Sequence, residues 1–372
     1  MSAAATETQQ RVTNLELFFD LVFVFTITQL TSLLAHEPTF AGLLQVALIF
    51  GNVWWMYGGY AWLTNAVPPR ELVVRLLLLI GMAAFLLVAL SIPTTFTGGG
   101  IAFGVGYLVV NLVHTGVFLK TTQASVATAM TRLGPTNIAT AAVLLVAGFT
   151  PPPVRLVLFA AGFVFHWLTP LFTGTGGFRI QAGHFVERHG LILLIAIGES
   201  VVAVGLGLGN EELPPGRILA AVLGLTLTAG LWWLYFNGDE ERAEAAIDGA
   251  PQQHRPWLAL NSFGYVFLLV LGGIVVLAAG MKLGIVHYGE PANLATAGFL
   301  AGGVAAYLVG LALFRWVLDS GPLAMRFALA ALSLPTVLIG IVLSPIAQLI
   351  ALVFVVAGGA AIDTYLTMRD RQ

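Results

Sequence analysis

Apolar stretches long enough to cross a bilayer recur along the whole chain, and short polar, Pro-rich or Gly-rich breaks separate them. Because a helix needs about 20 apolar residues to span the hydrocarbon core, this pattern predicts an all-α, polytopic integral membrane protein. Proline, glycine and charged clusters at the breaks end one helix and begin the next. The breaks define twelve predicted spans, at residues 15–35, 40–64, 71–93, 100–120, 133–150, 154–173, 186–209, 217–237, 257–281, 292–318, 324–343 and 345–366.

The composition agrees with this class. The chain is 58% hydrophobic and 9% charged, with a mean hydropathy of +0.91, whereas about a quarter of the residues of soluble domains are charged. The net charge of −2 and the lack of a basic cluster predict no nucleic-acid partner. The chain has no cysteine for disulfides, thiolate metal sites or nucleophiles. Its polar first fourteen residues do not resemble a cleaved signal peptide, so we expect the first helix to remain as an anchor.

The basic residues predict an orientation. With both termini in the cytoplasm, thirteen of the sixteen Lys and Arg residues fall on the cytoplasmic side. The other three, Arg155, Arg217 and Lys282, fall outside. This excess follows the positive-inside rule, so we expect both termini to be cytoplasmic.

Four landmarks recur in the same order in the two halves of the chain. They are a glutamate at the start of the first helix, a Trp-Trp pair ending the second, an arginine opening the fifth and a proline before the sixth. The pairs are Glu16 and Glu187, Trp55 and Trp233, Arg132 and Arg326, and Pro151 and Pro345. Because six spans per half is an even number, both halves enter the membrane from the same side. The pattern therefore predicts two parallel six-helix repeats, which in some transporters enclose a polar site.

This repeat sets the predicted domain boundaries. A polar tail (1–14) precedes the first repeat (15–173), and a linker (174–185) joins it to the second repeat (186–366). The second repeat contains a polar cytoplasmic segment (238–256), whose charges we expect to be solvated, and a short tail (367–372) follows it.

The seventh span, HFVERHGLILLIAIGESVVAVG (184–205), carries unusual polar residues. On a helix, His184, Arg188 and Glu199 share one face, but Arg188 and Glu199 lie about 16 Å apart. Each therefore needs a partner from another helix, or water. A charge in mid-span costs roughly 2.5–3.5 kcal/mol, so we expect Glu199 and the adjoining Ser200 to face the protein interior.

The first span has its own polar face. Glu16 and Asp20 are one turn apart, and two such carboxylates raise each other's proton affinity unless a cation lies between them. Thr28 lies deeper and matches Glu199 in the repeat alignment. Glu16, Asp20, Glu187 and Arg188 are either part of a substrate or ion pathway or structural ion pairs near the cytoplasmic interface.

Other polar residues have simpler interpretations. His184, Glu187 and His189 are poor metal ligands because a spacing of five places the histidines about 140° apart on a helix. We assign no catalytic, metal-binding or cofactor-binding residue. His114 and His166 are expected to be core histidines with satisfied hydrogen bonds, and the Trp pairs to pack or lie at the membrane interface. Arg75 and Arg315 are expected either to snorkel or to neutralise Glu71 and Asp319.

Four segments resemble the bacterial low-temperature-requirement A (LtrA) family. They are ELFFDLVFVFTITQL (16–30), WWMYGGYAWLTN (54–65), HFVERHGLILLIAIGESVVAVG (184–205) and GLWWLYFN (230–237). The resemblance covers essentially the whole chain. It implies a multi-pass protein of the bacterial inner (plasma) membrane, linked by name to growth in the cold, and it assigns no substrate.

Three functions fit these patterns. The leading hypothesis is a carrier or channel that moves a small solute or ion between the two repeats, with the lipid bilayer as its other partner. Glu199, Ser200, Glu16, Asp20, His184, Glu187, Arg188 and His189 are its candidate pathway residues. The alternatives are a membrane-embedded enzyme that processes lipids or the envelope, and a structural or sensory membrane protein.

Overall fold

The computed structural model describes residues 12–120, 123–208 and 214–370, which form helices and loops and contain no strand. The first half contains α1 (Asn14–His36), α2 (Phe40–Ala66), α3 (Leu72–Ser91), α4 (Gly100–Leu119), α5 (Ala124–Gly148) and α6 (Pro152–Thr173). The second half contains α7 (Ala182–Leu208), α8 (Pro215–Phe236), α9 (Asp239–Gly249), α10 (Arg255–Ala259), α11 (Phe267–Val286), α12 (Leu294–Leu318), α13 (Ala324–Ser333), α14 (Thr336–Val342) and α15 (Pro345–Asp370). A 3₁₀ turn (Ile92–Thr94) extends α3, and a π-helix (Leu260–Val266) joins α10 to α11.

Eleven helical runs in the described part of the chain are long and apolar enough to cross a membrane. One run joins α10, the π-helix and α11, and another joins α13 and α14. The prediction of twelve spans also included α5, whose 25 residues are long enough but contain many Ser, Thr and Asn residues and an internal proline, Pro135. Apolarity therefore supports eleven spans, and α5 is the one predicted span that it does not support.

Two helices begin earlier than hydropathy predicted. Helix α5 begins at Ala124 rather than at residue 133, because its first turns are polar but still helical. The Thr128 and Thr131 hydroxyls donate to backbone carbonyls within the same helix, at 2.8 Å each. Helix α7 begins at Ala182, inside the predicted linker 174–185. Prolines begin two helices at the predicted breaks, since α6 begins at Pro152 and α15 at Pro345.

The two halves pack their helices in a similar way. In the first half, α1 contacts α2 and α3, α2 contacts α6, and α3, α4, α5 and α6 contact one another in sequence. In the second half, α7 contacts α8 and α11, α8 contacts α15, and α11 contacts α12, which contacts α13. Helix α1 contacts α7 and α11 across the interface between the halves, and α2 contacts α7 and the π-helix. The first and seventh spans are therefore neighbours at this interface.

Candidate functional site

Glu16 is held in place by the start of its own helix. Thr13 is the N-cap of α1, and its side chain accepts a hydrogen bond from the Glu16 backbone N–H. Glu16 Oε2 in turn accepts from the Thr13 N–H at 2.9 Å and from the Thr13 hydroxyl at 2.8 Å. The cap occupies Oε2 and leaves Oε1 free to contact α7.

Arg188 lies between the two carboxylates of α1. Its Nη1 is 3.1 Å from Glu16 Oε1, and its Nη2 is 3.4 Å from Asp20 Oδ1. Arg188 also donates to the Thr64 hydroxyl on α2. Glu16, Asp20 and Arg188 are all buried. The cation that the two carboxylates need is therefore supplied by the seventh span, and Arg188 has partners from other helices, as predicted.

His184 completes this group, which we call the carboxylate–arginine cluster (Glu16, Asp20, His184 and Arg188). Its Nε2 lies 3.1 Å from Glu16 Oε1. Its Nδ1 lies 3.2 Å from the side-chain amide nitrogen of Asn65, whose oxygen accepts from the Gln181 N–H. Because the amide nitrogen can only donate, this contact is a hydrogen bond in the tautomer that carries its proton on Nε2, the nitrogen that faces Glu16.

A layer of rings lies next to this cluster, on the side toward Thr28 of α1. The Tyr57 hydroxyl donates to Asp20 Oδ1 at 2.9 Å. The Tyr57 ring centroid is 4.4 Å from that of Phe23 and 5.0 Å from that of Trp54. His189 is also buried in this layer, with Nδ1 2.8 Å from the Phe185 carbonyl oxygen and its ring edge-on to Trp54. We call Phe23, Trp54, Tyr57 and His189 the aromatic layer.

Glu199 lies on the far side of the aromatic layer and is only 2% exposed. Its Oε2 is 2.5 Å from Thr28 Oγ1 on α1. Lys282 on α11 interacts electrostatically with Glu199, and its Nζ donates to Ser32 Oγ at 3.3 Å. The prediction that Glu199 faces the interior with a polar partner is confirmed. We call Thr28, Ser32, Glu199 and Lys282 the deep polar group.

Two candidate residues lie apart from these contacts. Glu187 is exposed on the surface of α7 and does not join the carboxylate–arginine cluster. Ser200 is buried, and its hydroxyl has no hydrogen-bond partner among the described residues. The described residues contain no group of three or more His, Asp or Glu side chains placed to hold a metal ion.

A second buried ion cluster, which was not predicted from the sequence, is formed by Asp239, Arg315, Arg326 and Asp363. Asp239 Oδ1 is 2.7 Å from Arg315 Nη2, and Asp363 Oδ2 is 3.1 Å from Arg326 Nη2. The prediction that Arg315 neutralises Asp319 is wrong, because Asp319 adopts a left-handed conformation as the C-cap of α12 while Arg315 turns inward. Asp239 is likewise buried rather than solvated. The available signal was Arg315 itself, an arginine next to a long apolar run.

The two core histidines also differ from expectation. Neither ring nitrogen of His114 has a hydrogen-bond partner of good geometry among the described residues, although the ring is only 3% exposed. His166 uses one nitrogen, Nδ1, which is 3.3 Å from the Tyr107 hydroxyl. The packing of neighbouring apolar helices leaves both nitrogens of His114 and Nε2 of His166 without a hydrogen bond of good geometry among the described residues.

Comparison with known proteins agrees with the motifs. The chain matches the bacterial low temperature requirement A protein (LtrA) family over residues 11–361. An uncharacterized protein of Rhizobium meliloti (strain 1021) is 26% identical over 317 residues, which cover 81% of this chain and 76% of that protein. No solved structure matches the chain. Because the family match covers nearly the whole sequence, the chain belongs to the bacterial low temperature requirement A family, as its first and seventh spans predicted.

Proposed function

We propose that this LtrA-family protein is a transporter or channel that moves a small solute or ion between its two halves, coupled to protonation of Glu199. In this proposal the halves are parallel six-helix repeats with twelve spans, counting α5. Both termini lie in the cytoplasm of a bacterial inner membrane.

The observation that carries the proposal is the buried contact between Thr28 and Glu199 at the interface between the halves. The Thr28 hydroxyl is 2.5 Å from Glu199 Oε2 and 3.2 Å from the Val24 carbonyl oxygen. An ionised Glu199 accepts a hydrogen bond from the Thr28 hydroxyl. A protonated Glu199 donates to Thr28, which then donates to Val24. The site can therefore gain or lose a proton without leaving a buried polar atom unpaired, which suits a proton-coupled step.

Polar groups lie at two separate levels along α1 at this interface. Along α1, Glu16 and Ser32 are sixteen residues apart, which corresponds to roughly 24 Å of the ~30 Å hydrocarbon core. The carboxylate–arginine cluster and the deep polar group occupy the two ends of this distance. The aromatic layer fills the space between them. Passage of an ion therefore requires these rings to move, so we propose that they form the gate.

Contacts between equivalent residues support the repeat. Thr28 and Glu199 are partners in the repeat alignment, and equivalent residues meet each other where they lie on a two-fold axis. The fourth span of each half, α4 and α12, also donates a similar hydrogen bond. Tyr107 donates to the Asn52 carbonyl on α2 at 2.8 Å, and Tyr307 donates to the Leu231 carbonyl on α8 at 2.8 Å. Both are tyrosine hydroxyls bonded to the backbone of the second helix.

The proposal can be tested by flux measurements on the protein reconstituted into liposomes. We expect wild-type liposomes to move protons together with a monovalent cation, K⁺ or Na⁺, at a rate that depends on pH. Glu199→Gln should abolish this flux or its pH dependence, because the amide cannot exchange a proton. Thr28→Val should slow the flux, because it removes the hydroxyl that forms hydrogen bonds with Glu199 and with the Val24 carbonyl oxygen.

Glu187→Gln is the matched control, since it makes the same change on an exposed residue of the same helix. It should leave flux and pH dependence unchanged. A Glu199→Gln protein with wild-type flux and pH dependence, and only a lower melting temperature in detergent, would show that Glu199 is structural. A wild-type protein that moves neither protons nor cations would also contradict the proposal.

A further inference from the structure

A pocket of about 90 Å³ lies apart from the carboxylate–arginine cluster and the deep polar group. Helices α2, α4, α5 and α6, the loop after α6 and the π-helix form its walls. Its main lining rings belong to Trp54, Trp55, Trp62, Phe118 and Phe178. This volume is several times the space that one water needs, and ligand pockets are usually apolar with a few polar groups that orient the ligand.

The lining of this aromatic pocket selects against charged ligands. None of its lining residues is Asp, Glu, Lys or Arg. A charged ligand would lose its hydration without gaining a counter-charge. Flat aromatic side chains dominate the walls, so a flat, uncharged, mostly apolar molecule fits best.

One buried polar side chain in the pocket lacks a hydrogen bond of good geometry. His114 lines the pocket, is 3% exposed, and has no hydrogen-bond partner of good geometry for either ring nitrogen among the described residues. A neutral imidazole carries one donor and one acceptor, and leaving them unmade in a buried place is costly. By contrast, the pocket's Asn137 already accepts a hydrogen bond from Trp55 Nε1 at 3.2 Å. His114 is therefore the group available to orient a ligand.

The π-helix shapes the wall on the side of the second half. Gly264 lies in this segment and lines the pocket, and its carbonyl accepts a hydrogen bond from Trp54 Nε1 at 2.9 Å. Single π-helical turns occur frequently at functional sites. Trp54 belongs both to this wall and to the aromatic layer, so it separates the pocket from the proposed ion path.

We propose that the aromatic pocket binds an uncharged, flat, mostly apolar molecule supplied by the bilayer, with one hydrogen-bonding atom of the ligand placed on His114. This proposal does not depend on the transport proposal, because the pocket and the polar groups involve different side chains apart from Trp54.

Gly58 provides a sharp test of the pocket. It lines the pocket, and a Cβ atom added there would meet no atom within 4 Å, so Gly58→Leu begins its side chain in open space and takes up volume in the pocket. Gly116 on α4 has the same open space but does not line the pocket, so Gly116→Leu is the matched control. The probe is N-phenyl-1-naphthylamine, an uncharged aromatic amine, added to the protein in lipid nanodiscs. Binding is measured as energy transfer from tryptophan to the probe.

We expect saturable energy transfer in the wild type and in Gly116→Leu, and at least tenfold weaker binding in Gly58→Leu. If Gly58→Leu does not fold, Gly58→Ala serves as the test variant. Its single methyl group should still weaken binding of N-phenyl-1-naphthylamine severalfold. Equal binding in the wild type and the Gly58 variants overturns the proposal. A wild-type signal that rises linearly, as for a probe dissolved in lipid, overturns it too.

A second variant tests the role of His114. Phenylalanine keeps a ring at this position but cannot form the hydrogen bond, so His114→Phe should bind N-phenyl-1-naphthylamine about fivefold more weakly. Diphenylhexatriene has no hydrogen-bonding atom and should bind the wild type and His114→Phe equally. The assignment of His114 is overturned if the variant changes both probes alike or neither.

Discussion

At the scale of single residues, the buried charges between α1 and α7 depend on each other. Arg188 is the cation shared by Glu16 and Asp20, and all three are almost inaccessible. Removing one member of a buried ion pair typically costs about 3–5 kcal/mol, because the remaining charge is left uncompensated. Whatever its role in function, the carboxylate–arginine cluster therefore holds the two halves together.

This dependence predicts the effect of Arg188→Met. The variant should lose roughly 3 kcal/mol of stability, because two carboxylates remain buried together without their cation. The measurement is thermal unfolding in detergent. Combining Arg188→Met with Glu16→Gln and Asp20→Asn should recover part of the lost stability. The triple variant leaves no buried carboxylate or guanidinium charge at these three positions.

Arg179→Met is the control for this experiment, because Arg179 is exposed in the loop before α7. Its effect should stay within about 0.5 kcal/mol. If Arg188→Met melts at the wild-type temperature, the cluster does not stabilise the interface.

At the scale of helices, one arginine closes the hairpin between α5 and α6. Arg155 is buried on α6, and among the described residues its guanidinium donates to backbone carbonyls. The acceptors are the carbonyl oxygens of Thr95, Thr97, Ala147, Gly148 and Thr150. Several of these carbonyls end α5 or follow it and lack a helical partner. The arginine therefore caps the C-terminus of one helix from the next one.

Arg155→Lys should destabilise this hairpin although it keeps the charge. An ammonium has three donors on one atom and cannot reach carbonyls arranged around a planar guanidinium. We expect a loss of about 2 kcal/mol in thermal unfolding, since bonds to charged groups contribute about 1.5–3 kcal/mol each and Lys keeps some of them. Arg132→Lys, an exposed position on α5, should change little. Equal melting of the two variants would argue against the capping role.

Helix α9 is attached to the membrane part through Asp239. This residue contacts Arg315 of α12 at 2.7 Å and Arg326 of α13 at 3.5 Å. Asp239→Asn should weaken these contacts and raise amide hydrogen exchange in α9 at least about tenfold, which corresponds to ~1.4 kcal/mol of easier local opening. Asp248→Asn is the control, because Asp248 is largely exposed at the other end of α9. Unchanged exchange in Asp239→Asn would mean that apolar contacts alone hold the helix.

At the scale of the whole molecule, the orientation in the membrane can be tested directly because the natural chain has no cysteine. Gly176 and Gly289 lie in loops, and a Cβ atom added at either would meet no atom within 4 Å. With both termini cytoplasmic, Gly289→Cys should react with a membrane-impermeant maleimide on intact cells. Gly176→Cys should react only after the membrane is opened. The reverse pattern would invert the proposed topology.

The sequence by itself determined the class of protein, its family and most of its helices. Hydropathy and helix breakers act over neighbouring residues, so the spans and the proline-led hairpins could be predicted from local pattern alone. The cost of a charge in lipid also predicted that Glu199 faces inward, since this argument needs only its depth in a span. Hydropathy did not predict the first turns of α5, because these turns are helical but polar.

Only the tertiary structure decided which residues meet. Arg188 pairs with residues about 170 positions away, and Arg315 pairs with Asp239 rather than with its neighbour Asp319. The aromatic pocket and the unpaired nitrogens of His114 also arise only where four helices, a loop and the π-helix come together. Contacts between residues far apart in the chain depend on how the helices pack, and a single sequence carries no local signal for that packing. Local energetics set where each helix lies along the chain, whereas packing sets what each buried polar group touches.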